Sequence, residues 1–588
     1  MFAKILIANR GEIALRVIRT AREMGIATVA VYSESDRDGL HVRMADEAYF
    51  IGPAAPSSSY LNADALLDAA KRAGADAVHP GYGFLAENAS FARRVTAEGL
   101  VWIGPHPDAI DAMGDKLRAR QAMQKAGVPF VPGGTEAIKD VAGAIAAAKT
   151  FGLPLAIKAS GGGGGKGLKI ARTLDGIESA FTTATREAEA YFKNAAVYAE
   201  RYLENPKHIE LQILADKYGN VVHVGERDCS LQRRHQKVLE EAPAEISASV
   251  RSALRDAGLR AAQAIAYDSV GTIECLVKGG DFFFLEMNTR IQVEHTVTEM
   301  ISGIDLVREQ IRVAAGEPLG FTQADVVFRG AAIEGRVNAE EPAQNFRPAP
   351  GTITAYREPA GLGVRVDSAA YPGYTISADY DSMIAKLIVW APTRAQAIAR
   401  LARAVDEYVI EGVSTTLPLL RALCDAPEIR DNAYGTATLE AFTSAHFAGI
   451  AAHPPASAST APSNVHASQD APVVRVEVND RLYRVRLIDV PAARPNGSTA
   501  AARTPRPNTG KKRSASVRGN DVLSPMHGAV IELKVAVGDA VAEAQVVAVV
   551  EAMKMMNEIR AHRPGTVTAV HAAAGETVEA DAPLVTIE

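Results

Sequence analysis

Leu155-Ala156-Ile157-Lys158-Ala159-Ser160-Gly161-Gly162-Gly163-Gly164-Gly165-Lys166-Gly167 is the stretch on which the fold assignment turns. A short apolar strand runs into five successive glycines framed by Lys158 and Lys166. Consecutive glycines let backbone N–H groups turn toward one centre, and the lysines add positive charge, which is how a chain holds a polyphosphate. A merely flexible turn rarely needs five glycines between lysines. No Gly-Lys-Ser/Thr opens a helix here, so the stretch is not a P-loop, and a different nucleotide fold is predicted.

Upstream, short apolar strands alternate with amphipathic helices. Lys4–Ala8 reads as a strand, Ile13, Val17, Ile18, Ala21 and Met24 recur at helical spacing, and Gly25 is the stop. Ala27–Tyr32 is the next strand, and Asp76-Ala77-Val78 opens another after a helix from Asn62 to Arg72. Such repetition predicts a mostly parallel sheet with helices on its faces.

Downstream, Phe282-Phe283-Phe284-Leu285-Glu286-Met287-Asn288-Thr289-Arg290-Ile291-Gln292-Val293-Glu294 is the second signal. If extended, period two places Glu286, Asn288, Arg290, Gln292 and Glu294 on one face, with Leu285, Met287, Ile291 and Val293 toward the core. Alone, this pattern equally fits an ordinary half-solvated strand. The preceding aromatic run, Glu274 on the strand before it, and a face mixing acid, amide and arginine favour a site. Glu274, Glu286 and Asn288 offer hard oxygen ligands suited to magnesium bridging phosphates. Arg290, Gln292 and Glu294 lie beyond them, where a small anion and its base belong. Gln232-Arg233-Arg234-His235-Gln236-Lys237 is a third donor-rich cluster, which in isolation equally fits a charged surface loop. Glu200-Arg201-Tyr202-Leu203 is a weaker nucleotide-edge candidate.

After Phe447 the composition changes. Residues 451–471 are almost all Ala, Ser, Pro and His, and 491–520 are rich in Pro, Ala, Gly, Ser and Thr. Neither buries enough apolar surface to offset chain entropy. Between them, alternation over Val474–Val478 and Leu482–Leu487 predicts a small hairpin near 473–488. The second linker holds seven bases (Arg494, Arg503, Arg506, Lys511, Lys512, Arg513 and Arg518) and no acid, the pattern of a self-repelling tether. The last seventy residues repeat internally at a spacing of 37: Gly528-Ala529-Val530 matches Gly565-Thr566-Val567, Val537–Val541 matches Ala574–Val578, and Val550-Glu551 matches Ile587-Glu588. Two such halves predict a compact pseudo-symmetric all-β module with Ala552-Met553-Lys554-Met555-Met556 as an exposed junction.

The remaining bounds are compositional. The chain has 588 residues, a prior of about four domains at ~150 residues each, with 47% hydrophobic and 22% charged content. No apolar run approaches the ~18 residues of a spanning helix, and Met1–Ala8 is too short for a signal-peptide core, so the expectation is a cytoplasmic chain. Cys229, Cys275 and Cys424 lie too far apart in sequence for a disulfide framework or zinc cluster. Acids outnumber bases 69 to 63, so no chain-wide basic field points to nucleic acid.

The chain resembles biotin carboxylase fused to a biotin carboxyl carrier, as in alpha subunits of bacterial acyl-CoA carboxylases. The first resemblance covers residues 1–447, through Ile7-Ala8-Asn9-Arg10-Gly11-Glu12-Ile13-Ala14, His79-Pro80-Gly81-Tyr82-Gly83-Phe84-Leu85, Met113-Gly114-Asp115-Lys116, the glycine loop and Glu286–Glu299. The second covers 522–588, through Ser524-Pro525-Met526 and Glu551-Ala552-Met553-Lys554-Met555. The implied fold is α/β and α+β. A Rossmann-like subdomain (1–115), an ATP-grasp domain (116–330) and a C-terminal subdomain (331–447) precede the linker (448–520). An all-β biotinyl/lipoyl-like flattened barrel (521–588) closes the chain.

Residue by residue, the resemblance implies ATP contacts at Lys116, Lys158, Gly163, Gly164, Gly165, Lys166, Glu200, Leu203, His208, Gln232 and His235. It implies magnesium (or manganese) ligands at Glu274, Glu286 and Asn288, and bicarbonate contacts at Lys237, Arg290, Gln292 and Val293. Glu294 takes the general-base position, kept ionised by neighbouring Arg290. Arg336 takes that of the residue stabilising the biotin enolate, and Lys554 would carry biotin as an amide. The implied activity is an ATP- and bicarbonate-dependent ligase that carboxylates its own tethered biotin within fatty-acid or acyl-CoA metabolism. The implied partners are a separate carboxyltransferase beta subunit, biotin protein ligase and a second copy of the carboxylase part, with neither nucleic acid nor membrane. A component of pyruvate carboxylase or another biotin enzyme is the rival within the same chemistry, and a non-catalytic biotin or lipoyl scaffold the rival outside it. Met-Lys-Met at 553–555 favours biotin, since lipoyl turns usually read Asp-Lys-Ala. The chain departs from the family in carrying Lys166 where arginine is frequent and Arg201 where lysine is. It also lacks the protruding thumb insertion of some acetyl-CoA carboxylase carriers, and 448–520 is shorter than the docking domain of propionyl- and methylcrotonyl-CoA carboxylase alpha chains.

Overall fold

The computed structural model describes residues 1–161, 167–447, 519–526, 528–552, 555–579 and 581–588, together with the backbone of the strands Val473–Val478 and Arg481–Arg486. The N-terminal layer is a five-stranded parallel sheet ordered Glu47–Gly52, Ala27–Ser33, Lys4–Ile7, Ala77–His79, Val101–Trp102. Its strands are short and apolar because both faces are covered. Ile5 and Ile7 pack with Ile13, Val17 and Ile18 of the helix Gly11–Glu23, while Leu6 and Ala8 pack with Leu66, Leu67 and Ala70 of Ala63–Ala73. Asn62 caps the latter helix by accepting from the N–H groups of Asp64 and Ala65, and Gly74 ends it at φ 61°. Strand order reverses between Lys4–Ile7 and Ala77–His79, and a crevice outside the carboxyl ends is the usual ligand position of such sheets. There the Asn9 side chain donates to the carbonyls of Pro80 (2.7 Å) and Tyr82 (2.8 Å). Gly81 sits at φ +63°, and a Cβ on it would lie 2.9 Å from the Asn9 amide. The glycine of His79-Pro80-Gly81 is a packing requirement.

A small lobe follows. The antiparallel strands Leu168–Ala171, Leu155–Ala159 and Val197–Arg201 pack on the helices Val141–Phe151 and Ile177–Phe192. Alanine at 180, 184 and 188 gives the second helix a smooth stripe that lets it lie close to the sheet. The glycine loop connects two of these strands, and Gly163, Gly164, Gly165 and Lys166 lie outside the described residues.

The largest element is an eight-stranded antiparallel sheet. Its order is Asp281–Asn288, Val270–Lys278, Lys207–Ala215, Val221–Arg233, Gln236–Ala242, Ala331–Asn338, Met383–Ala391, Val364–Ser368. It runs without interruption across position 330, so strands on either side of that position share one ladder.

One expectation is corrected here. The run from Phe282 is not extended through Glu294: the strand ends at Asn288, a loop covers 289–294, and the helix His295–Ser302 follows. A bulge contributes, since Cys275 pairs with Phe284 and Glu274 with Glu286, leaving Leu285 unpaired. An extra residue in one strand breaks the alternation of faces. Leu285 and Val293, expected toward the core, therefore line the cavity, whereas Met287 and Ile291 are buried as expected.

The expected hairpin is present as Val473–Val478 paired antiparallel with Arg481–Arg486. The C-terminal module consists of two four-stranded sheets, Asp521–Leu523, Pro583–Ile587, Gly565–Val570, Ala540–Val541 and Met555–Arg560, Val546–Ala552, Gly528–Leu533, Thr577–Val578. Adding 37 to Gly528–Leu533 and Ala540–Val541 gives Gly565–Val570 and Thr577–Val578, so the sequence repeat is a structural one. The matching glycines have matching reasons: a Cβ at Gly528 would lie 2.5 Å from the Glu551 carbonyl oxygen, and one at Gly565 2.4 Å from that of Glu588. Ala552 pairs with Met555 across the junction, while Met553 and Lys554 lie outside the described residues. Among the described residues, no helix is long and apolar enough to cross a membrane.

Candidate active site

A cavity of about 560 Å³ opens between the small lobe and the eight-stranded sheet. Its wall includes Lys116, Lys158, Glu200, Leu203, His208, Gln232, His235, Lys237, Glu274, Glu286, Asn288, Arg290, Gln292, Val293, Glu294 and Arg336. Every described residue singled out from the sequence for nucleotide, metal or anion contact is thus brought to one place. Ala156, Leu168, Leu276 and Leu285 add an apolar wall that sequence reading did not identify.

The cations arrive paired. Lys116 opens a helix capped by Asp115, and its ammonium contacts Glu286, which draws that carboxyl down to about 2. Lys158 contacts Glu200, whose other oxygen accepts from Arg120 at 2.6 Å. Arg120 is buried one helical turn beyond Lys116, and the i, i+4 spacing was the available signal for it. His208 Nε2 lies 3.2 Å from Glu274 and 3.4 Å from Glu210; burial opposes its charge, yet the two carboxylates raise the imidazole to about 9.

Arg234 and His235 form the two-residue turn between Val221–Arg233 and Gln236–Ala242, at φ 47° and 66°. Two side chains in left-handed conformation where asparagine and glycine are usual cost about 1–3 kcal/mol each, held there by the flanking ladder. The turn presents both residues, together with Gln232 and Lys237, to the cavity.

Glu274 and Glu286 are direct cross-strand partners, and Asn288 lies two residues farther along, opposite Thr272. Three hard oxygen donors on neighbouring positions of one hairpin fit a small divalent cation. Glu274 is also met by Lys237 (3.1 Å), Asn288 (2.8 Å) and Gln292 (2.8 Å).

Beyond this hairpin the loop 289–294 is held residue by residue. Glu87 accepts from the Thr289 N–H and from Arg290, both at 3.1 Å. Gln292 accepts at 2.5 Å from Arg227, a fully buried guanidinium also bonded to Glu210, Gln212, Thr272 and Thr298. Glu294 is buried between Lys237 (2.6 Å) and Arg336 (2.9 Å). Burial alone would raise its pKa, but Lys237 and Arg336 outweigh it and hold the carboxyl below its ordinary value. The direction matches expectation, with Lys237 and Arg336 the leading cations; Arg290, engaged with Glu87 and Asn288, also attracts Glu294. Arg336 also grips Glu240 at 2.6 Å, whose burial, against the pull of Arg336, pushes it up to about 7.

Arg227, Glu210 and Glu87 were missed in the sequence. Glu210 had a signal, because His208, Glu210 and Gln212 alternate with Ile209, Leu211 and Ile213. Arg227 and Glu87 act across long sequence separations that no local pattern displays.

Comparison with known proteins places these features in a family. The biotin carboxylase N-terminal domain model matches residues 1–110, the carbamoyl-phosphate synthase L chain ATP-binding domain 115–322 and the biotin carboxylase C-terminal domain 334–441. The model described as biotin-requiring enzyme matches 520–587. A biotin-dependent acyl-coenzyme A carboxylase alpha3 subunit of Mycobacterium leprae is 43% identical over 98% of this chain and 97% of its own length. A pyruvate carboxylase subunit of Methanothermobacter thermautotrophicus is 53% identical over 72% of this chain and 86% of its own. Among solved structures, the biotin carboxylase domain dimer of Hydrogenobacter thermophilus 2-oxoglutarate carboxylase, in complex with MgADP, ADP and bicarbonate, aligns at TM-score 0.73 and 49% identity. That alignment covers 76% of this chain and 98% of the other.

Proposed function

The chain belongs to the biotin carboxylases, ATP-dependent ligases, with a biotin-requiring module on the same polypeptide, and we propose that it is the alpha subunit of an acyl-CoA carboxylase. One observation carries the choice of acceptor: the likeness to the Mycobacterium leprae alpha subunit runs end to end through carboxylase and carrier, whereas that to the pyruvate carboxylase subunit spans 72% of the chain. Acetyl- or propionyl-CoA would receive the carboxyl group on a separate carboxyltransferase beta subunit. Reconstitution with candidate beta subunits and acetyl-, propionyl-, methylcrotonyl-CoA or pyruvate tests this. Turnover confined to pyruvate would transfer the chain to the second reading, a pyruvate carboxylase subunit.

The division of labour follows from the site. Lys116, Lys158, Glu200, Leu203, His208, Gln232 and His235 would bind ATP, joined by Gly163, Gly164, Gly165 and Lys166, which lie outside the described residues. Glu274, Glu286 and Asn288 would hold magnesium, which would neutralise charge developing on the phosphates. Arg290, Gln292, Val293 and Lys237 orient bicarbonate. Glu294, ionised because Lys237 and Arg336 face it, accepts the bicarbonate proton as an oxygen attacks the γ-phosphorus and ADP leaves. The resulting carboxyphosphate breaks down to carbon dioxide and phosphate within the same wall of donors. Lys554, outside the described residues, would carry biotin as an amide placed by biotin protein ligase; the ureido nitrogen would take up the carbon dioxide and give its proton to the phosphate. Arg336 stabilises negative charge developing there. We assign residues 1–115, 116–330 and 331–447 to the three carboxylase parts, paired with a second copy, 448–520 to the linker and 521–588 to the carrier, in a cytoplasmic enzyme.

A further inference from the structure

Behind the loop 289–294 lies a cation that the chemistry above does not use. Lys386 is fully buried on the strand Met383–Ala391 and contributes nothing to the cavity wall. The sheet register sets it directly opposite Arg336, and opposed residues of an antiparallel pair project from the same face. The two cations reach consecutive residues of the loop. Arg336 contacts the Glu294 carboxylate at 2.9 Å, and Lys386 Nζ donates to the Val293 carbonyl at 3.0 Å.

A buried ammonium persists only when paired. The partners here come from both ends of the carboxylase: Glu12 Oε2 at 3.3 Å, from the first turn of Gly11–Glu23, and Asp367 Oδ2 at 3.8 Å, from Val364–Ser368. Asp367 is already satisfied by Arg365 through two bonds of 2.8 Å, and Glu12 also accepts from the Tyr82 hydroxyl. Stability alone does not call for this arrangement, because an apolar pair often serves as well as a buried ion pair. What the lysine adds is a donor on one carbonyl of the cavity wall.

The preceding peptide is fixed in the same way. The Gln292 carbonyl accepts from the His295 backbone N–H at 3.3 Å and lies 2.7 Å from His295 Nδ1, which must be the donor because a carbonyl oxygen only accepts. Both peptide planes flanking Val293 are therefore held from behind, one by His295 and one by Lys386. The main chain at Val293 meets the cavity at an angle it is not free to change.

We propose that Lys386 is a positioning residue for bicarbonate binding: it fixes the Val293–Glu294 peptide so that Val293 and Glu294 meet the anion together, and Glu12 makes its buried charge tolerable. This rests on the reading of Arg290, Gln292 and Val293 as the bicarbonate site. The test uses the full chain and bicarbonate-dependent ATP cleavage with free biotin, with KM for bicarbonate and for ATP read separately beside the melting temperature. Lys386→Met with Glu12→Gln removes the donor without stranding a charge. The double variant is expected to melt near wild type, with the bicarbonate KM raised about tenfold and the ATP KM within about twofold. Glu12→Gln alone leaves Lys386 bonded to Val293 and facing Asp367, and is expected to lower the melting temperature while the bicarbonate KM stays near wild type. An unchanged bicarbonate KM in the double variant, or a parallel rise in both constants, overturns the proposal. Should the double variant not fold, Lys386→Arg keeps the charge, displaces the donor and is judged by the same ratio. Arg290→Lys separates the two failures. If it raises the bicarbonate KM while the Lys386 variants do not, the proposal alone falls; if it does not, the site reading falls and takes the proposal with it.

Discussion

Arg336→Met isolates the part of the site that acts after ATP has bound. The guanidinium lies 2.9 Å from Glu294 and 2.6 Å from Glu240, with both carboxylates buried. Charge centres about 4 Å apart at an effective dielectric of about 20 interact by roughly 4 kcal/mol. Water entering the truncated site, and Lys237 remaining 2.6 Å from Glu294, cut the net loss to about 1.4–2.7 kcal/mol, or about 1–2 pH units. The sign is fixed by the roles. Glu294 is held below the ordinary carboxylate value, so losing a cation raises it, and a base that must be ionised fails at a higher pH. The acidic limb of the kcat/KM profile for bicarbonate should therefore climb by about 1–2 pH units. Losing an electrostatic stabiliser should also lower kcat by about 10²–10³-fold. Glu240, already pushed up to about 7, takes up a proton and leaves no stranded charge, so the variant should fold. The assay is bicarbonate-dependent ATP cleavage with free biotin, followed from the ordinary carboxylate range up through neutrality. An unmoved acidic limb, or an effect chiefly on the ATP KM, would refute the roles given to Glu294 and Arg336.

Intact mass after co-expression with biotin ligase should rise by one biotin in the wild-type chain and not in Lys554→Arg; an unmodified wild type would remove Lys554 from the reading. Glu286→Ala takes away both a hard-cation ligand and the partner of Lys116, so magnesium-ATP use should fall by on the order of 10²-fold, from several kcal/mol of lost charge stabilisation. Retained ATP cleavage in that variant would displace the metal from the Glu274–Glu286 hairpin. A coil of thirty residues spans roughly 30 Å, so a tether as long as 491–520, of which 519 and 520 alone lie among the described residues, is expected to hold biotin near millimolar concentration at two active sites in turn. Removing two-thirds of 491–520 should lower overall acyl carboxylation and leave ATP cleavage with free biotin unchanged, while neutralising the seven bases at constant length should matter little. The opposite ranking would make this segment a docking element.

Much of the site was legible because its residues sit in short motifs with local periodicity. Glu286 and Asn288 share a strand face, and Gln232–Lys237 surround a turn. The repeat at 37 residues announced the paired sheets of the carrier before any strand was placed. Legibility failed where the physics was not local. Period two carried the Phe282 strand through Glu294, whereas the bulge at Leu285 and the turn after Asn288 end it, and neither leaves a Gly or Pro signature. Arg290 was the natural neighbour for Glu294 in sequence, yet it turns to Glu87, and Lys237 and Arg336 arrive from other strands by register. Arg227 and Lys386 sit within strands where a single charge carries no message about the distant loop it supports.

That loop also ties together the three matched parts of the carboxylase. A strand would have set the spacing of Arg290, Gln292 and Glu294 by its own ladder; a loop has no such ruler, and its geometry is imposed from outside. Glu87 grips it from the parallel-sheet end, Arg227 and Lys237 from the middle of the large sheet, and Arg336 and Lys386 from strands beyond position 330. The ladders pairing Gln236–Ala242 with Ala331–Asn338, and that strand with Met383–Ala391, keep Arg336 and Lys386 in register with Lys237. Truncation near 330 would take Lys386 from Val293 and Arg336 from Glu294, leaving Lys237 alone on the Glu294 carboxylate. On the roles proposed, the nucleotide-facing residues fall largely within one part of the fold, whereas the anion-facing loop is held from all three.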